Sequence, residues 1–481
     1  MATYAPQDLQ QAESQGLPPV PLEQFLDKLS IGYFHLRLLF LCGLGFAAAG
    51  IEVGLVSFLF PELRRSWDLN EYQLSMLPTL TALASNVGEI SCGLLADKYG
   101  RRPVFVVTSL FVAVFGMLSA ASPNIGCLIV LRMVVGFAFG GNIAVDFALF
   151  SEFIPTRGRG LMLFAMAAFW PLGQLMASVL AWWTIPRYGW RGFLVATSVP
   201  MMLTACLRPL MPESPRWLLL KGHRGEATEV CRHMAEHNGV DPRQAGLAPG
   251  VTVVLEGEGA PLVPKLRPGG FWNLPVFELF GPVLRRTTLA VMMFGTTLEV
   301  GGYALVTLLP TYLVSRGMES TTAYATMTLH STMQFVGIAL ATIVATYVGR
   351  LLPMRGVSLL IPLSVIGASW VRRPMQIMAW ACLGAACQEG GWSLFHVYTP
   401  EAFPTELRAS AIGIISAAAS FFSFLVPIGT AWLLEHFETG TAILVLGCIT
   451  ILSGAVAGFL LHVETLSKPL EDVKEASAKH G

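Results

Sequence analysis

The chain has 481 residues, of which 54% are hydrophobic and only 13% are charged, and its basic and acidic side chains are equal in number. Soluble domains carry about 25% charged residues, so this composition excludes an ordinary soluble protein and indicates a membrane protein with many spans. The formal net charge of zero gives no reason to expect a nucleic-acid partner. The eight cysteines are scattered without a C-x-x-C pair, so we expect no metal site.

Residues 1–37 predict a polar tail that ends in a short amphipathic lead-in over 25–36. The tail lacks the basic and apolar regions of a cleavable signal peptide. Most of the apolar runs that follow are close to the length of about 20 residues that a helix needs to span a bilayer. There are twelve of them, at about 38–60, 74–96, 103–122, 126–149, 160–183, 191–211, 288–313, 321–345, 356–371, 375–398, 409–433 and 440–462. The sequence therefore predicts an all-α, polytopic membrane protein with twelve transmembrane helices.

The central connection divides the runs six and six. Within it, residues 221–238 carry charged side chains on one face and apolar ones on another, which predicts an amphipathic helix at the membrane surface. Residues 239–270 are rich in Gly, Pro and Val, which predicts a loose loop. The predicted domains are the tail and lead-in 1–37, a six-helix bundle 38–211, the central loop 212–287, a second six-helix bundle 288–462 and a tail 463–481.

Basic residues predict the side of the membrane that each connection faces, because Lys and Arg are enriched in cytoplasmic loops. Most of the 31 Lys and Arg residues fall in the two tails and in the connections that follow even-numbered runs. Both termini are therefore predicted to be cytoplasmic. We expect a monomer in the lipid bilayer of the plasma membrane or of an internal, vesicular membrane.

A short charged loop joins the second and third runs. It reads Gly93-Leu94-Leu95-Ala96-Asp97-Lys98-Tyr99-Gly100-Arg101-Arg102. One acid and several basic residues in so tight a turn, between two apolar helices, place this loop at a membrane surface.

The two halves of the chain repeat each other. The pattern E-x-x-P-T-x-x-R runs from Glu152 to Arg159 and again from Glu401 to Arg408, which is 249 residues later. A faint copy of the charged loop lies at 346–351, where Thr346 replaces the acid. We therefore predict a duplicated six-helix unit, which is a known transporter plan, with a one-sided charge latch in its second copy.

These motifs resemble those of the major facilitator superfamily across nearly the whole chain. The resemblance rests on the charged loop itself, on Arg132-x-x-x-Gly136-x-x-x-Gly140 in the fourth run, and on Pro212-Glu213-Ser214-Pro215-Arg216-Trp217-Leu218 after the sixth. Further segments are similar to the synaptic-vesicle-glycoprotein-related and organic-ion transporter branch. They include Leu26-Asp27-x-Leu29-x-Ile31-Gly32, Gly140-Gly141-Asn142, Leu279-Phe280-Gly281-Pro282 and Tyr398-Thr399-Pro400-Glu401.

The resemblance implies a secondary transporter in which two pseudo-symmetric bundles rock about a central cavity. The first run departs from aromatic-acid relatives, which often have an acidic pair there, because Glu52 is its one acid. That departure argues against transferring the anion chemistry of those relatives to this chain.

Charged residues inside the apolar runs are the candidates for the site, since each costs about 2.5–3.5 kcal/mol to insert into a bilayer. Glu52 is the strongest candidate for a proton or substrate-cation site, and the alternative is an acid that faces a solvated vestibule without a coupling role. Arg132 is expected to hold a carboxylate such as Glu52 or to have a structural role. Asp146, one turn beyond Asn142, is interpreted as a cavity or gate residue or as a structural bond between helices.

The remaining intramembrane candidates are weaker. Glu89 shares a helix face with Asp97, and Glu389 beside Trp392 is a plausible substrate contact. Glu299 is a further acid of this kind. For the other residues the sequence favours the membrane interface or contacts between helices, and a role in the cavity is the alternative. These residues are Trp170, Tyr303, Gln334, His330 and His396.

A second predicted set consists of opposite charges at the cytoplasmic ends of the helices. Ion pairs that break when the halves rock stabilise one state over the other, so this set is predicted to form the cytoplasmic gate. Its members are Asp97, Arg101, Arg102, Glu152, Arg159, Glu401 and Arg408.

The function predicted from these features is proton-coupled transport of a small polar organic solute, an organic ion or a carboxylate, by alternating access. The alternatives are a facilitative sugar or solute uniporter and a transport-inactive sensor with the same fold. No phosphate-binding loop, dinucleotide fingerprint or nucleophile elbow is present in the sequence, so we predict neither an enzyme nor a cofactor.

Overall fold

The computed structural model describes residues 19–155, 158–255, 279–403 and 408–464. Its side-chain description leaves out positions 144, 145, 147, 148, 400, 408–410, 412, 413, 417 and 423. The outer parts of both predicted tails, half of the predicted loose loop and the side chain of Arg408 therefore lie outside the described residues.

The first half of the chain is almost entirely helical. Its elements are β1 (Val20–Pro21), α1 (Leu22–Lys28), α2 (Tyr33–Trp67), α3 (Glu71–Tyr99), α4 (Arg101–Ser119), α5 (Ile125–Ser151), α6 (Arg159–Ala167), α7 (Phe169–Leu207), α8 (Pro215–Leu220), α9 (Arg224–His237) and β2 (Val253–Val254). A single 3₁₀ turn, Arg208–Leu210, follows α7.

The second half repeats this arrangement of long helices. Its elements are α10 (Arg285–Gly302), a π-helical segment (Tyr303–Thr307), α11 (Leu309–Ser315), α12 (Ser320–Tyr347), α13 (Leu351–Trp370), α14 (Pro374–Ala402), α15 (Arg408–His436) and α16 (Thr439–Leu460). The π-helical segment lies in the middle of the seventh predicted span, and π-bulges often occur at functional sites.

Nine helical segments of the described chain are long and apolar enough to cross a membrane. One of them, Arg159–Leu210, contains two crossings, because Gly189 has a φ of 65° and interrupts the helical backbone. The helices α3 and α14 have 29 residues each and carry several polar residues of the cavity described below. The nine segments give ten crossings once the divided one is counted twice, and α3 and α14 bring the number to twelve. The predicted all-α fold of twelve spans is therefore confirmed.

The duplication is visible in how equivalent helices pack. Gly88 of α3 lies so close to α5 that a Cβ atom there would overlap the backbone of Phe137. Gly337 of α12 approaches the backbone of Ala386 in α14 in the same way. Both glycines and both partners are separated by the same 249 residues as the sequence motifs. Such close approach of helix backbones is typical of membrane helix pairs.

The end of the bundle at which Asp68 follows α2 is called here the Asp68 end. The two halves contact each other between the middle of the bundle and this end. Hydrogen bonds between them run from Ser57 Oγ to the Val306 carbonyl (2.9 Å) and from Tyr324 Oη to Glu62 Oε1 (3.3 Å). An apolar cluster with members from both halves, among them Phe58 and Leu309, packs around them. The halves are therefore closed against each other at the Asp68 end.

The opposite end of the bundle, called here the loop end, carries the loop at 97–102 and a layer of extramembrane structure. The strand β1 pairs in parallel with β2, with Val20 opposite Val253. Asn238, at the end of α9, accepts a hydrogen bond from the Phe34 amide (3.0 Å) and so holds the start of α2. Residues 239–252 form turns and irregular structure, as the prediction of a loop over 239–270 expects. The segment is packed and not loose, because Leu247 and Val251 are buried and Val253–Val254 pair with the lead-in.

Candidate functional site

A cavity of about 330 Å³ lies between the two halves. Its volume falls in the range of about 300–1,000 Å³ that is usual for small-molecule sites. The helices that line it come from both halves, chiefly α2, α3, α5 and α7 from the first and α10, α14 and α15 from the second. The predicted site residues that line it are Glu52, Glu89, Trp170, Glu299, Tyr303, Glu389, Trp392 and His396.

Glu52 borders the cavity and forms an ion pair with Arg132 of α5 through its Oε2 atom. Both residues are buried, with 6% of Glu52 and 2% of Arg132 exposed. The second carboxyl oxygen of Glu52, Oε1, is also buried and has no hydrogen-bond partner in the described part of the chain. A buried guanidinium is thus neutralised by one oxygen, and the other oxygen remains available.

Helix α14 presents a polar and aromatic face to the cavity. Gln388, Glu389, Trp392 and His396 all line it, and they recur at the spacing of one helical turn. Glu389 is 4% exposed and Gln388 is 9% exposed. The buried Oε1 atom of Gln388 has no hydrogen-bond donor among the described residues. This face therefore offers a carboxylate and an amide oxygen to a bound molecule.

Two further carboxylates face the same cavity from different halves. Glu89 belongs to α3 and Glu299 to α10, and both line the cavity. A cation bound between two carboxylates is stabilised by both of them.

Aromatic rings complete the walls. Phe46 packs against Trp170 with ring centroids 5.1 Å apart, and Trp392 packs edge to face against Phe395 at 5.3 Å. These rings line the cavity together with Tyr303. The cavity therefore combines acidic groups with an aromatic surface.

Asp146 lies outside this cavity lining, in an ion pair with Arg208 of the 3₁₀ turn. Arg208 Nη1 donates to Asp146 Oδ1 (3.2 Å), and both side chains are buried. The ring of Phe105 stacks on the guanidinium, with its centroid 3.3 Å from Arg208 Cζ. Of the two interpretations, cavity residue or structural bond, this geometry favours the structural bond.

Three other candidates are also placed between helices and not in the cavity lining. Asn142 Oδ1 accepts a hydrogen bond from Thr108 Oγ1 (2.7 Å), which joins α5 to α4. Gln334 Nε2 donates to Gln174 Oε1 (2.8 Å) and joins the two halves. His330 is fully buried, and neither ring nitrogen has a hydrogen-bond partner in the described part of the chain.

The charged residues at the loop end of the first half form one network. Arg101 pairs with Asp97 (2.9 Å) and with Glu152 (3.2 Å), and the Arg101 amide donates to Glu213 (2.9 Å). Burial raises the pKa of the Glu152 carboxyl, against the opposing effect of Arg101. Elsewhere in the network Arg102 donates to the Pro209 carbonyl (2.6 Å), and Arg159 donates to the Ile154 carbonyl (3.2 Å).

The second half has an equivalent network. Arg350 forms two hydrogen bonds to Glu401, at 3.2 and 3.3 Å, and its amide donates to Glu464 (2.9 Å). Thr346 donates instead to the Thr342 carbonyl (2.7 Å) of its own helix. The expectation of a one-sided latch is wrong in this respect, because the second copy keeps its ion pair and loses only the equivalent of Asp97. Each of these ion pairs lies within one half.

Residues 39–476 match the family described as Sugar (and other) transporter. The chain belongs to this family. It is 25% identical to the niacin transporter NiaP of Acinetobacter baylyi, over 93% of this chain and 98% of that protein. It is 27% identical to the organic cation/carnitine transporter 7 of Arabidopsis thaliana, over 95% and 97%. The synaptic vesicle 2-related protein of Xenopus laevis is also 27% identical, over 94% and 82%.

Solved structures of a xylose transporter share the fold. The proton:xylose symporter XylE bound to 6-bromo-6-deoxy-D-glucose superposes with a TM-score of 0.68 at 16% identity, over 92% of this chain and 98% of XylE. An inward-open structure of XylE from E. coli gives a TM-score of 0.66. The chain therefore has the major facilitator fold. Its family makes it a membrane transporter, and the prediction that it is not an enzyme is confirmed.

Several residues of this transporter escaped the sequence reasoning. Glu213 and Glu464 cap the helices α4 and α13 at equivalent places. Each of these two helices begins just after a glycine with a φ above 100°. The positions of the two glutamates differ by 251 residues, close to the repeat of 249, so a wider comparison of the halves would have found them. Arg208 could not be paired with Asp146 from sequence, since they are 62 residues apart and no motif connects them.

Proposed function

We propose that the chain couples proton movement to the transport of a small organic ion by alternating access of its two halves. The observation that supports this most directly is the buried ion pair between Glu52 and Arg132 at the border of the cavity. The relatives named above include transporters of niacin and of organic cations or carnitine, and a proton symporter with the same fold.

The proposed proton step uses the free oxygen of Glu52. A proton from cavity water binds Oε1, which neutralises the carboxylate and leaves Arg132 as a buried charge without its partner. Leaving one member of a buried pair unpaired costs several kcal/mol, so protonation changes the relative energies of two arrangements of α2 and α5. Deprotonation reverses the change.

Helix α2 also carries the contacts that close the Asp68 end. Ser57 and Glu62 follow Glu52 along α2 by five and ten residues, and both hydrogen-bond to the second half. A shift of α2 that follows loss of the Glu52–Arg132 attraction therefore acts on the closing contacts directly. This provides a physical connection between protonation and the rocking of the halves.

The distribution of Lys and Arg supports a cytoplasmic position for the loop end and for both termini. With this orientation, closure at the Asp68 end corresponds to a state that is open towards the cytoplasm. The network of Asp97, Arg101 and Glu152 is then a gate element that holds α3, α4 and the end of α5 together as one body. Arg350 and Glu401 have the same role in the second half.

Uptake by proteoliposomes tests the coupling. The full chain is reconstituted, a pH gradient is imposed, and the initial uptake of radiolabelled nicotinate, carnitine and choline is measured. We expect the gradient to accelerate uptake of at least one of them. In Glu52→Gln, gradient-driven accumulation is lost, but exchange of labelled for unlabelled solute at equal pH persists.

The control is Glu319→Gln, which alters an exposed acid at the start of α12 and leaves both activities unchanged. A wild-type rate that ignores the pH gradient would point to the uniporter alternative. Full accumulation by Glu52→Gln would remove Glu52 as the coupling residue.

A further inference from the structure

We infer that the substrate is an organic cation with a compact apolar or aromatic body, bound between Glu389, the facing carboxylates Glu89 and Glu299, and the ring of Trp392. This assignment rests on the proposed function, because it takes the cavity between the halves as the transport site. It narrows the choice between an organic cation and a carboxylate, which the sequence leaves open.

The charge of the lining is the first argument. Four carboxylates line the cavity, and in the part of the chain that the structure describes no Lys or Arg does so. Arg132 is 2% exposed and is already paired with the lining residue Glu52. Subtracting that pair leaves Glu89, Glu299 and Glu389 facing the same space.

The second argument is the lack of partners at the face of α14. Glu389 is nine-tenths buried, yet no described residue forms an ion pair or a side-chain hydrogen bond with its carboxylate. Gln388 Oε1, on the preceding residue, is buried and also lacks a donor. Buried carboxylate and amide oxygens without donors are costly. A ligand that brings positive charge and N–H groups would satisfy both.

The third argument is the aromatic surface. Trp392 lies one helical turn beyond Gln388 and lines the cavity beside Phe395. From the first half, Trp170 and Phe46 form another aromatic wall. Aromatic faces attract cations and also accept flat apolar bodies. An inorganic cation would leave this apolar part of the cavity unused.

An anionic substrate fits the same cavity poorly. A carboxylate there would meet three acidic side chains and no free guanidinium or ammonium group among the described lining residues. Like charges brought together in a medium of low dielectric repel strongly. His396 lines the cavity as well, but its Nδ1–H donates to the Trp392 carbonyl oxygen (2.7 Å).

Equilibrium binding to the purified full chain in lipid nanodiscs tests the inference. Two ligand sets keep the shape and change the charge: 1-methylnicotinamide (cation), nicotinamide (neutral) and nicotinate (anion), and choline with its neutral isostere 3,3-dimethylbutan-1-ol. We expect a cation in at least one set to raise the melting temperature and to bind at least about tenfold more tightly than its neutral isostere. We expect no stabilisation by nicotinate.

Variants connect the preference to the proposed residues. Glu389→Gln is expected to weaken binding of the preferred cation by about tenfold, since a charge-assisted contact is lost. Glu299→Gln serves as a second variant on the other side of the cavity, and Glu319→Gln as the control with unchanged binding. The melting temperature of each variant without ligand shows whether it is folded.

The inference is overturned if no cation stabilises the protein, if nicotinate binds at least as well as 1-methylnicotinamide, or if both cavity variants keep the wild-type preference. Binding at equilibrium needs no proton gradient. Failure of pH-driven uptake would therefore leave this result standing, and loss of cation preference would leave proton coupling standing.

Discussion

Replacing Asp146 by Asn should destabilise the transporter without altering which ligands it binds. The change keeps the shape of the side chain and removes its charge, so Arg208 is left as a buried cation. Arg208 has no exposed side-chain surface, and its hydrogen bonds to Asp146 measure 3.2 and 3.5 Å. Water has little room to replace the carboxylate, since even a Cβ atom at Gly45 would overlap the guanidinium.

The magnitude follows from this environment. Removing one partner of a buried ion pair costs about 3–5 kcal/mol. Stacking on Phe105, worth about 2 kcal/mol when desolvated, is present before and after the change and does not offset it. In a domain the size of the six-helix bundle 38–211, each kcal/mol of lost stability lowers the melting temperature by about 2–4 °C. The melting temperature should therefore fall by about 10 °C.

A double variant isolates the pair. Asp146→Leu with Arg208→Met replaces both charges by apolar groups of similar volume and should be more stable than Asp146→Asn alone. Asp68→Asn is the matched control, because Asp68 is exposed and its φ of 50° is tolerated by Asn. Thermal unfolding in detergent measures all three. If Asp146→Asn melted like the wild type but bound the cavity ligands more weakly, the structural interpretation would be refuted.

Two further predictions concern the duplicated helices. Glu464→Gln should lower the melting temperature by a few degrees, because a lost helix cap costs about 0.5–2 kcal/mol of stability. Glu213→Gln should have the same effect, since it caps the start of the equivalent helix in the first half. Unequal effects would show that the two caps are not equivalent. Gly337→Val should reduce the yield of folded, monodisperse protein, because the side chain would overlap the backbone of Ala386. Gly356→Ala has open space around the added Cβ atom and should leave that yield unchanged. Size-exclusion profiles of the two variants test this difference.

The fold could be predicted from sequence because its signal is local and strong. An apolar run needs no knowledge of its neighbours to be identified as a span, and the motif repeated at an offset of 249 residues predicted the duplication. The strand pair β1–β2 could not be predicted in this way. Strands of two residues, Val20–Pro21 and Val253–Val254, are too short to show a periodicity of their own. They form only in the folded chain, where Thr228 of α9 also accepts a hydrogen bond from the Val253 amide.

The charged loops show how a substitution can mislead. Thr346 in place of the acid predicted a weakened second latch, since the local pattern of opposite charges was incomplete. The ion pair that matters in the second half joins Arg350 to Glu401, which is 51 residues away in the sequence. In the first half the local pattern supplies one acidic partner of Arg101, which is Asp97. The second half lacks that partner, and its two acidic partners, Glu401 and Glu464, come from later in the chain.

Glu52, Asp146 and Glu389 illustrate the limit for the candidate site. In sequence all three are single acids inside apolar runs, and the cost of burying a charge marks each of them as a candidate without separating their roles. Their environments differ through distant residues: Glu52 meets Arg132 at the cavity border, Asp146 meets Arg208 away from it, and Glu389 meets no described basic residue. The three acids therefore differ in how many of their carboxylate oxygens have a partner among the described residues. We therefore propose a structural role for Asp146, proton exchange for Glu52 and cation binding for Glu389.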